Sequence, residues 1–281
     1  VAARQRGRVA VFGDIGGQLG EFSRALTDLG ADVAAGLLPA DLTVIQLGDL
    51  VHRGPDSPGV LDLVARFLSA SGDQWVQLTG NHEEQYLFVP PRFHWPEHLD
   101  EQHGDLIRWW WRSRQMAVAA AVDLPDGQVL VTHAGLTEGF WRKMLGAPES
   151  AAEAAERINS MASVFKRPVF RAGTMLGDPV DFTAGPVWAA SGLELLPSWL
   201  IAGDLPFDLV HGHSSAWNWR RKQVMGDEAL RPHLQIDEQH RHVRVQIGDH
   251  TVTGIDPGHG AKAAPRWAPL VLTDALVVQP A

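Results

Sequence analysis

Five short apolar runs, each cut off by a polar turn containing glycine, constrain this chain more than any other feature. They are Arg8–Phe12, Leu42–Leu47, Trp75–Leu78, Gln128–Val131 and Phe207–Val210. Runs of this length that lack polar alternation read as strands of a sheet covered on both faces. Helical segments lie between them. Ser57 followed by Pro58 reads as an N-cap and a first-turn proline. Val60–Ala70 then carries helical spacing and stops near Gly72. Further helices are expected over Glu21–Leu29, Asp105–Val118 and Ser150–Phe165. Alternating strands and helices predict an α/β fold. After Arg220 the helices stop. His233–Ile236, His242–Ile247, Thr251–Ile255 and Leu270–Val278 read as strands, with Gly248-Asp249 as a hairpin turn. They predict a second, more antiparallel sheet. No linker divides the chain, so residues 1–281 are expected to form a single domain, with a cap or insert at about 90–120.

The residues after each run carry the chemistry. Gly13-Asp14-Ile15-Gly16-Gly17 follows the first, and Gly48-Asp49-Leu50-Val51-His52-Arg53-Gly54-Pro55 the second. Thr79-Gly80-Asn81-His82-Glu83, Thr132-His133-Ala134-Gly135 and His211-Gly212-His213-Ser214 follow the others. Sites in open α/β sheets form at the carboxyl ends of strands. Five strand ends therefore offer Asp, Asp, Asn, His and His on one rim. Two neighbouring carboxylates repel unless a cation lies between them. Oxygen and imidazole donors suit borderline divalent ions such as Mn, Fe, Zn or Co, and there is too much imidazole for Ca or Mg. One or two ions would fit, with Asp49 bridging a pair.

Bulk properties narrow the partners. The formal net charge is −9, and a short basic cluster lies at the start, Arg4 to Arg8. An acidic chain without a basic stripe is a poor binder of nucleic acid. No apolar run approaches the roughly 18 residues of a membrane span. There is no cysteine, which excludes thiolate metal sites and disulfides and fits a cytoplasmic protein. An acidic protein that handles phosphate needs a local positive charge, and bound metal supplies it.

Taken together, the strand-end sequences resemble those of the calcineurin-like metallophosphoesterases, within them the phosphoprotein phosphatases and diadenosine tetraphosphatases. That family shows Gly-Asp-x-His-Gly, Gly-Asp-x-x-x-Arg-Gly, Gly-Asn-His-Asp/Glu, His-Ala/Gly-Gly and Gly-His-Thr/Ser, in this order. Ile255-Asp256-Pro257-Gly258 resembles its closing Asp-x-Gly. The resemblance implies two β-sheets in a sandwich flanked by helices, an α/β/β/α arrangement. It also implies hydrolysis of a phosphomonoester or phosphoanhydride by metal-activated water, on a phosphoprotein, a nucleotide or a small metabolite. Carried over by position, Asp14 holds a first metal and Asp49 bridges, while Asn81, His133 and His213 hold a second. Arg53 grips the phosphate, with Asn81 and His52 beside the substrate, and His82 protonates the leaving oxygen or stabilises charge on it.

Two positions depart from the family. Gly16 stands where the family has His, which removes a ligand of the first metal. His52, His211 and His259 are the candidates to replace it. An impaired first site would instead leave a binding or regulatory protein with the same fold. His52 stands where phosphoprotein phosphatases carry Asp, and an imidazole there lowers the pKa of His82. Activity that needs protonated His82 is then expected to favour mildly acidic pH. A nuclease of the same superfamily is disfavoured by the charge. Elsewhere, His94, His98, His103 and Glu97 match no tight site and read as a substrate-facing loop or solvated surface. Trp109-Trp110-Trp111 reads as core packing with one exposed ring, and His240 and His242 as strand surface.

Overall fold

The computed structural model describes residues 6–164, 167–259 and 266–278. The start of the basic cluster and the expected helix end at Phe165 lie outside the described residues. Among the described residues are thirteen strands: β1 (Gly7–Phe12), β2 (Leu42–Gln46), β3 (Trp75–Leu78), β4 (Met116–Ala117), β5 (Ala119–Leu124), β6 (Gly127–Thr132), β7 (Asp208–His211), β8 (Trp217–Asn218), β9 (Gln223–Val224), β10 (Gln235–Asp237), β11 (His242–Ile247), β12 (His250–Gly254) and β13 (Leu270–Val278). Seven α-helices accompany them among the described residues: α1 (Leu19–Asp28), α2 (Ser57–Ala70), α3 (Asn81–Leu87), α4 (Glu101–Arg112), α5 (Glu138–Lys143), α6 (Ala151–Ser163) and α7 (Leu196–Ala202).

Eleven strands form one hydrogen-bonded order, β10-β11-β12-β7-β6-β5-β13-β1-β2-β3-β4. β13 is the corner. Its first part pairs with β1 and its last three residues pair with β5. The strands on the two sides of that corner form the two layers of a sandwich. Val9, Val11, Ile45 and Leu47 from one layer share a buried cluster with Val122, Val129, Val131 and Val210 from the other. Alternate residues of β1, Ala10 and Phe12, face outward onto Phe22, Leu26 and Phe67 of α1 and α2. The period of two thus divides one strand between two cores. The outer face of the second layer is covered by α6 and α7 through Ala154, Ile158 and Trp199. Burial of each Val, Leu or Phe here contributes roughly 1.5–3 kcal/mol. The expected α/β/β/α class is the observed one.

Local boundaries differ in instructive places. Asp56, not Ser57, caps α2, accepting from Gly59 N at 2.8 Å. Ser57 Oγ instead accepts from His52 N at 2.8 Å and ties the site loop to the helix. The helix expected over Asp105–Val118 is shifted toward the N-terminus. It starts at Glu101 because Asp100 accepts from His103 N, and it ends at Arg112. The alanine-rich segment beyond it becomes β4 and β5, because pairing with β3, β6 and β13 outweighs alanine's helix preference. His233 ends a 3₁₀ turn rather than opening a strand. His242 is buried, not on the surface, and its Nε2–H donates to the Ala268 carbonyl at 2.9 Å. Trp110 is 1% exposed and Trp109 53%, so one ring packs and its neighbour does not.

Candidate active site

The carboxyl ends of β1, β2, β3, β6 and β7 meet at one rim, with α3 starting directly after β3 at Asn81. Ile15 N and Gly16 N both donate to the Asp49 carbonyl, at 2.9 and 2.8 Å, which lashes the first turn to the second. Glu83 lashes the second to the third. It is fully buried, and its carboxylate accepts from Asp49 N, Leu50 N and Gly80 N, each at 2.8 Å. Three N–H donors stabilise a buried carboxylate that would otherwise be costly. Two glycines are required by close approach. A Cβ on Gly80 would lie 2.2 Å from Asp49 Oδ1, and one on Gly212 2.4 Å from Asp14 Oδ1.

Asp49, His133 and His213 each present a ligand atom, all within 4.8 Å of one another and all buried. Asn81 joins them. Its Oδ1 lies 3.1 Å from His133 Nε2 and 2.9 Å from His213 Nδ1. Asp14 stands alongside, with its Oδ1 accepting from His213 N at 2.7 Å. The chemistry of this set calls for a cation. His133 Nδ1–H donates to the Leu47 carbonyl at 3.0 Å, so the neutral ring turns the lone pair of Nε2 inward. That lone pair faces Asp49 Oδ1 at 3.3 Å and the Asn81 oxygen. Acceptor atoms turned toward one another are reconciled by a positive ion between them. The imidazoles are ready to ligate. Burial pulls His133 down to about 3 and His213 well below its ordinary range, so both are neutral at pH 7. Burial raises Asp49 and Asp14, the latter further through Asp256 and Asp49, the penalty expected of carboxylates crowded without a counter-ion.

His82 begins the next layer. Its N–H donates to Asp49 Oδ1 at 3.0 Å, and its Nε2 lies 3.8 Å from Asp49 Oδ2. Its Nδ1 is 2.8 Å from His52 Nδ1, and His52 Nε2 is 2.7 Å from Tyr86 Oη. His52 is thus buried behind His82 with both ring nitrogens engaged, and its ring offers no atom to a substrate. Burial, and then Arg53, hold His82 down at about 3; burial, His82, His98 and Arg53 do the same for His52. Arg53 is exposed above this layer, its guanidinium carbon 5.1 Å from the centre of the Trp95 ring. Among the described residues nine non-glycine residues have positive φ, and Asp49, His52, Arg53 and His213 are four of them. Left-handed backbone at these positions costs energy and persists where surrounding structure enforces it.

The proposed replacements for the missing first-site His are placed differently. His52 is committed to His82 and Tyr86. His211 Nδ1–H donates to the Gly212 carbonyl at 2.9 Å and its Nε2 is turned to Gly254. His259 lies beside Gly16. The loop after α3 adds residues that no motif marked. Phe93 and Trp95 flank the His82 ring at 5.5 and 4.8 Å between centres. Trp188 touches His213, and its indole N–H donates to the buried Glu84. The histidines of this loop scatter. His98 meets Gln85, His103 meets Asp100, and neither joins a metal-sized group among the described residues. No helix among the described residues is long and apolar enough to cross a membrane.

Known proteins resemble this chain in sequence and in fold. A bis(5'-nucleosyl)-tetraphosphatase, symmetrical, from Acidovorax sp. (strain JS42) is 31% identical over 132 residues. That match spans 44% of this chain and 42% of the relative, less than half of its length. Among solved structures, a protein serine/threonine phosphatase from Saccharomyces cerevisiae superposes with a TM-score of 0.52 at 14% identity, covering 91% of this chain and 69% of that one. A cold-active protein-tyrosine phosphatase of a psychrophilic Shewanella gives 0.50 at 17% identity, covering 89% and 78%. These two share the fold. The model of the calcineurin-like phosphoesterases matches residues 7–269, nearly the whole chain, and the chain therefore belongs to the calcineurin-like phosphoesterase family.

Proposed function

We propose that this protein is a metal-dependent phosphoesterase that hydrolyses a phosphomonoester or phosphoanhydride. The observation that carries the reading is the convergence of Asp49, Asn81, His133 and His213, with the His133 lone pair facing two oxygens. These four residues would hold one divalent ion, and Asp14, with Asp49 bridging, would contribute to another. When bound, the cations supply charge to polarise a phosphoryl oxygen and to acidify water. Arg53 offers two N–H donors to the phosphate oxygens, and Trp95 beneath it limits where the guanidinium moves.

His82 addresses the leaving oxygen, and its neighbours set which nitrogen carries the proton. Tyr86 Oη accepts from Leu99 N at 3.1 Å, so its own hydrogen turns to His52 Nε2. His52 then carries its hydrogen on Nδ1 and donates to His82 Nδ1. That leaves the His82 hydrogen on Nε2, the side facing Asp49. A neutral imidazole so held donates a hydrogen bond to the leaving oxygen, and full proton transfer grows as pH falls.

The partial similarity to a tetraphosphatase of nucleotides supports nucleotide phosphoanhydrides as the first substrate class to try, ahead of phosphoproteins and small phosphorylated metabolites. The test is phosphate release from p-nitrophenyl phosphate and from members of the three classes, with Mn added. Turnover lost in Asp49→Asn supports the reading. No release from any ester or anhydride with Mn, Fe, Zn or Co would sink it.

A further inference from the structure

Position 16 lacks the side chain that the family uses as a ligand, and the structure shows what takes up its surroundings. Gly16 has φ +52°, a left-handed conformation that opposes any substitution there. A Cβ placed on it would meet the Cβ of His259 at 3.7 Å. The side chain of His259 therefore starts beside the place a side chain at 16 would start, with His52 O at 3.4 Å and Arg53 Cδ at 3.7 Å as the other neighbours, and it comes from the loop after β12 rather than from the turn after β1.

The state of that ring is unusual. His259 is 6% exposed, and among the described residues neither Nδ1 nor Nε2 has a hydrogen-bond partner in good geometry. Its closest edge-on neighbour ring is Trp267, 5.7 Å between centres, and the Asp14 backbone approaches it. A buried imidazole without partners costs about 1–3 kcal/mol per unmade hydrogen bond. The other two candidate histidines have no such deficit, since both are bonded away from Asp14. Near Asp14 stand Asp256 and Asp49: burial, and then these two carboxylates, raise Asp14, while Arg53 and Arg241 are the nearby positive groups.

We propose that His259 is the imidazole ligand at the first metal site, that of Asp14 and the second ion to bind, held with Asp14, Asp49 and Asp256 near Gly16. The inference rests on the metal-dependent reading above, but it concerns ion binding and is tested without turnover. His259 brings the nitrogen donor and the three aspartates the oxygen donors, a mixed set suited to Mn, Fe, Co or Zn. A loop-borne ligand replaces a strand-end ligand, so the turn after β1 is free to keep the glycine that its backbone requires.

The experiment titrates chelator-stripped protein with Co(II) alone and counts retained ions after desalting. The wild type is expected to bind two ions per chain, the second more weakly. In His259→Ala the first ion stays and the second weakens by at least about tenfold, the scale of losing one supporting group at a metal site. His259→Cys gives the decisive spectrum, because the chain has no other cysteine. A thiolate that reaches the ion produces an intense near-ultraviolet charge-transfer band, expected with the second equivalent of Co(II). One ion in the wild type, unchanged second-ion binding in His259→Ala, or no band in His259→Cys each overturns the proposal. If His259→Ala does not fold, the cysteine variant decides alone. In each of those failures phosphate release that still depends on Asp49 leaves the hydrolase reading standing, so the two can fail separately.

Discussion

On one side of the cleft Asp49, His133 and His213 present ligand atoms within 4.8 Å of one another, each ring set by the backbone around it. On the other side are Asp14, Asp256 and His259, the last beside Gly16, and among the described residues they form no group at that spacing. Imidazoles neutralised by burial do not repel one another, so the first set packs closely. Carboxylates are costly to crowd together, and the second set is built mainly from them. One rim thus carries a half built mainly of imidazole and a half built mainly of carboxylate.

Asp49 belongs to both halves, and its replacement tests the comparison most severely. Asp49→Asn is expected to lower kcat/KM by about 10³-fold, the upper range for removing one electrostatic group from an active site, and to reduce ion content on both sides. Retention of two ions by this variant would break the assignment of a bridging carboxylate. His82→Ala should act on chemistry alone. Its turnover of alkyl phosphates should fall by about 10²–10⁴-fold. The loss on p-nitrophenyl phosphate should be far smaller, because that leaving group needs no proton. Ion content should not change.

His52→Asp sharpens the role of the layer behind the metal ligands. A carboxylate beside His82 Nδ1 favours the imidazolium, where the present imidazole disfavours it. The alkaline limb of the kcat profile, where protonated His82 is lost, should move to higher pH by about one unit, equivalent to about 1.4 kcal/mol. Aspartate also tolerates the left-handed backbone at this position, φ 70°. An unmoved profile would remove His82 from the proton path.

The smallest expected effect is on stability and lies behind the imidazole half. Burial raises Glu84 to about 7, with the Trp188 hydrogen bond and then Arg92 opposing the shift. The folded state therefore binds more protons than the unfolded chain between the ordinary glutamate range and pH 7. Stability supported by protonated Glu84 is full at low pH and falls as pH rises through 7, by up to about 3 kcal/mol. Glu84→Gln keeps an acceptor for the Trp188 N–H and should flatten that dependence between pH 5 and 8 in urea unfolding. Parallel curves for the two proteins would contradict it.

Much of this was legible before any coordinates. The five strand ends and their order are local properties, since apolar runs punctuated by glycine read the same in any context. Asp14, Asp49, Asn81, His82, His133 and His213 were named from that pattern, and the structure brings them to one rim. Other features were illegible for a definable reason. The segment Met116–Leu124 has a composition that suits a helix, and only pairing with β3, β6 and β13 makes it extended. His52 was assigned to the substrate side, because sequence spacing does not reveal that its ring turns inward to His82 and Tyr86. Trp95, Phe93 and Trp188 follow no pattern that marks them as neighbours of the site.

By itself the chain of residues determined the donor types, their order along the fold, and the glycines that let backbone approach carboxylate at Gly80 and Gly212. Only tertiary structure decided which histidine stands beside Gly16, since His52, His211 and His259 are alike as residue types and far apart in sequence. Hydrogen bonding made that choice: two of the three rings are bonded elsewhere, while among the described residues neither nitrogen of the buried His259 has a partner in good geometry. Partner satisfaction is a property of three-dimensional neighbours, which a linear pattern does not encode.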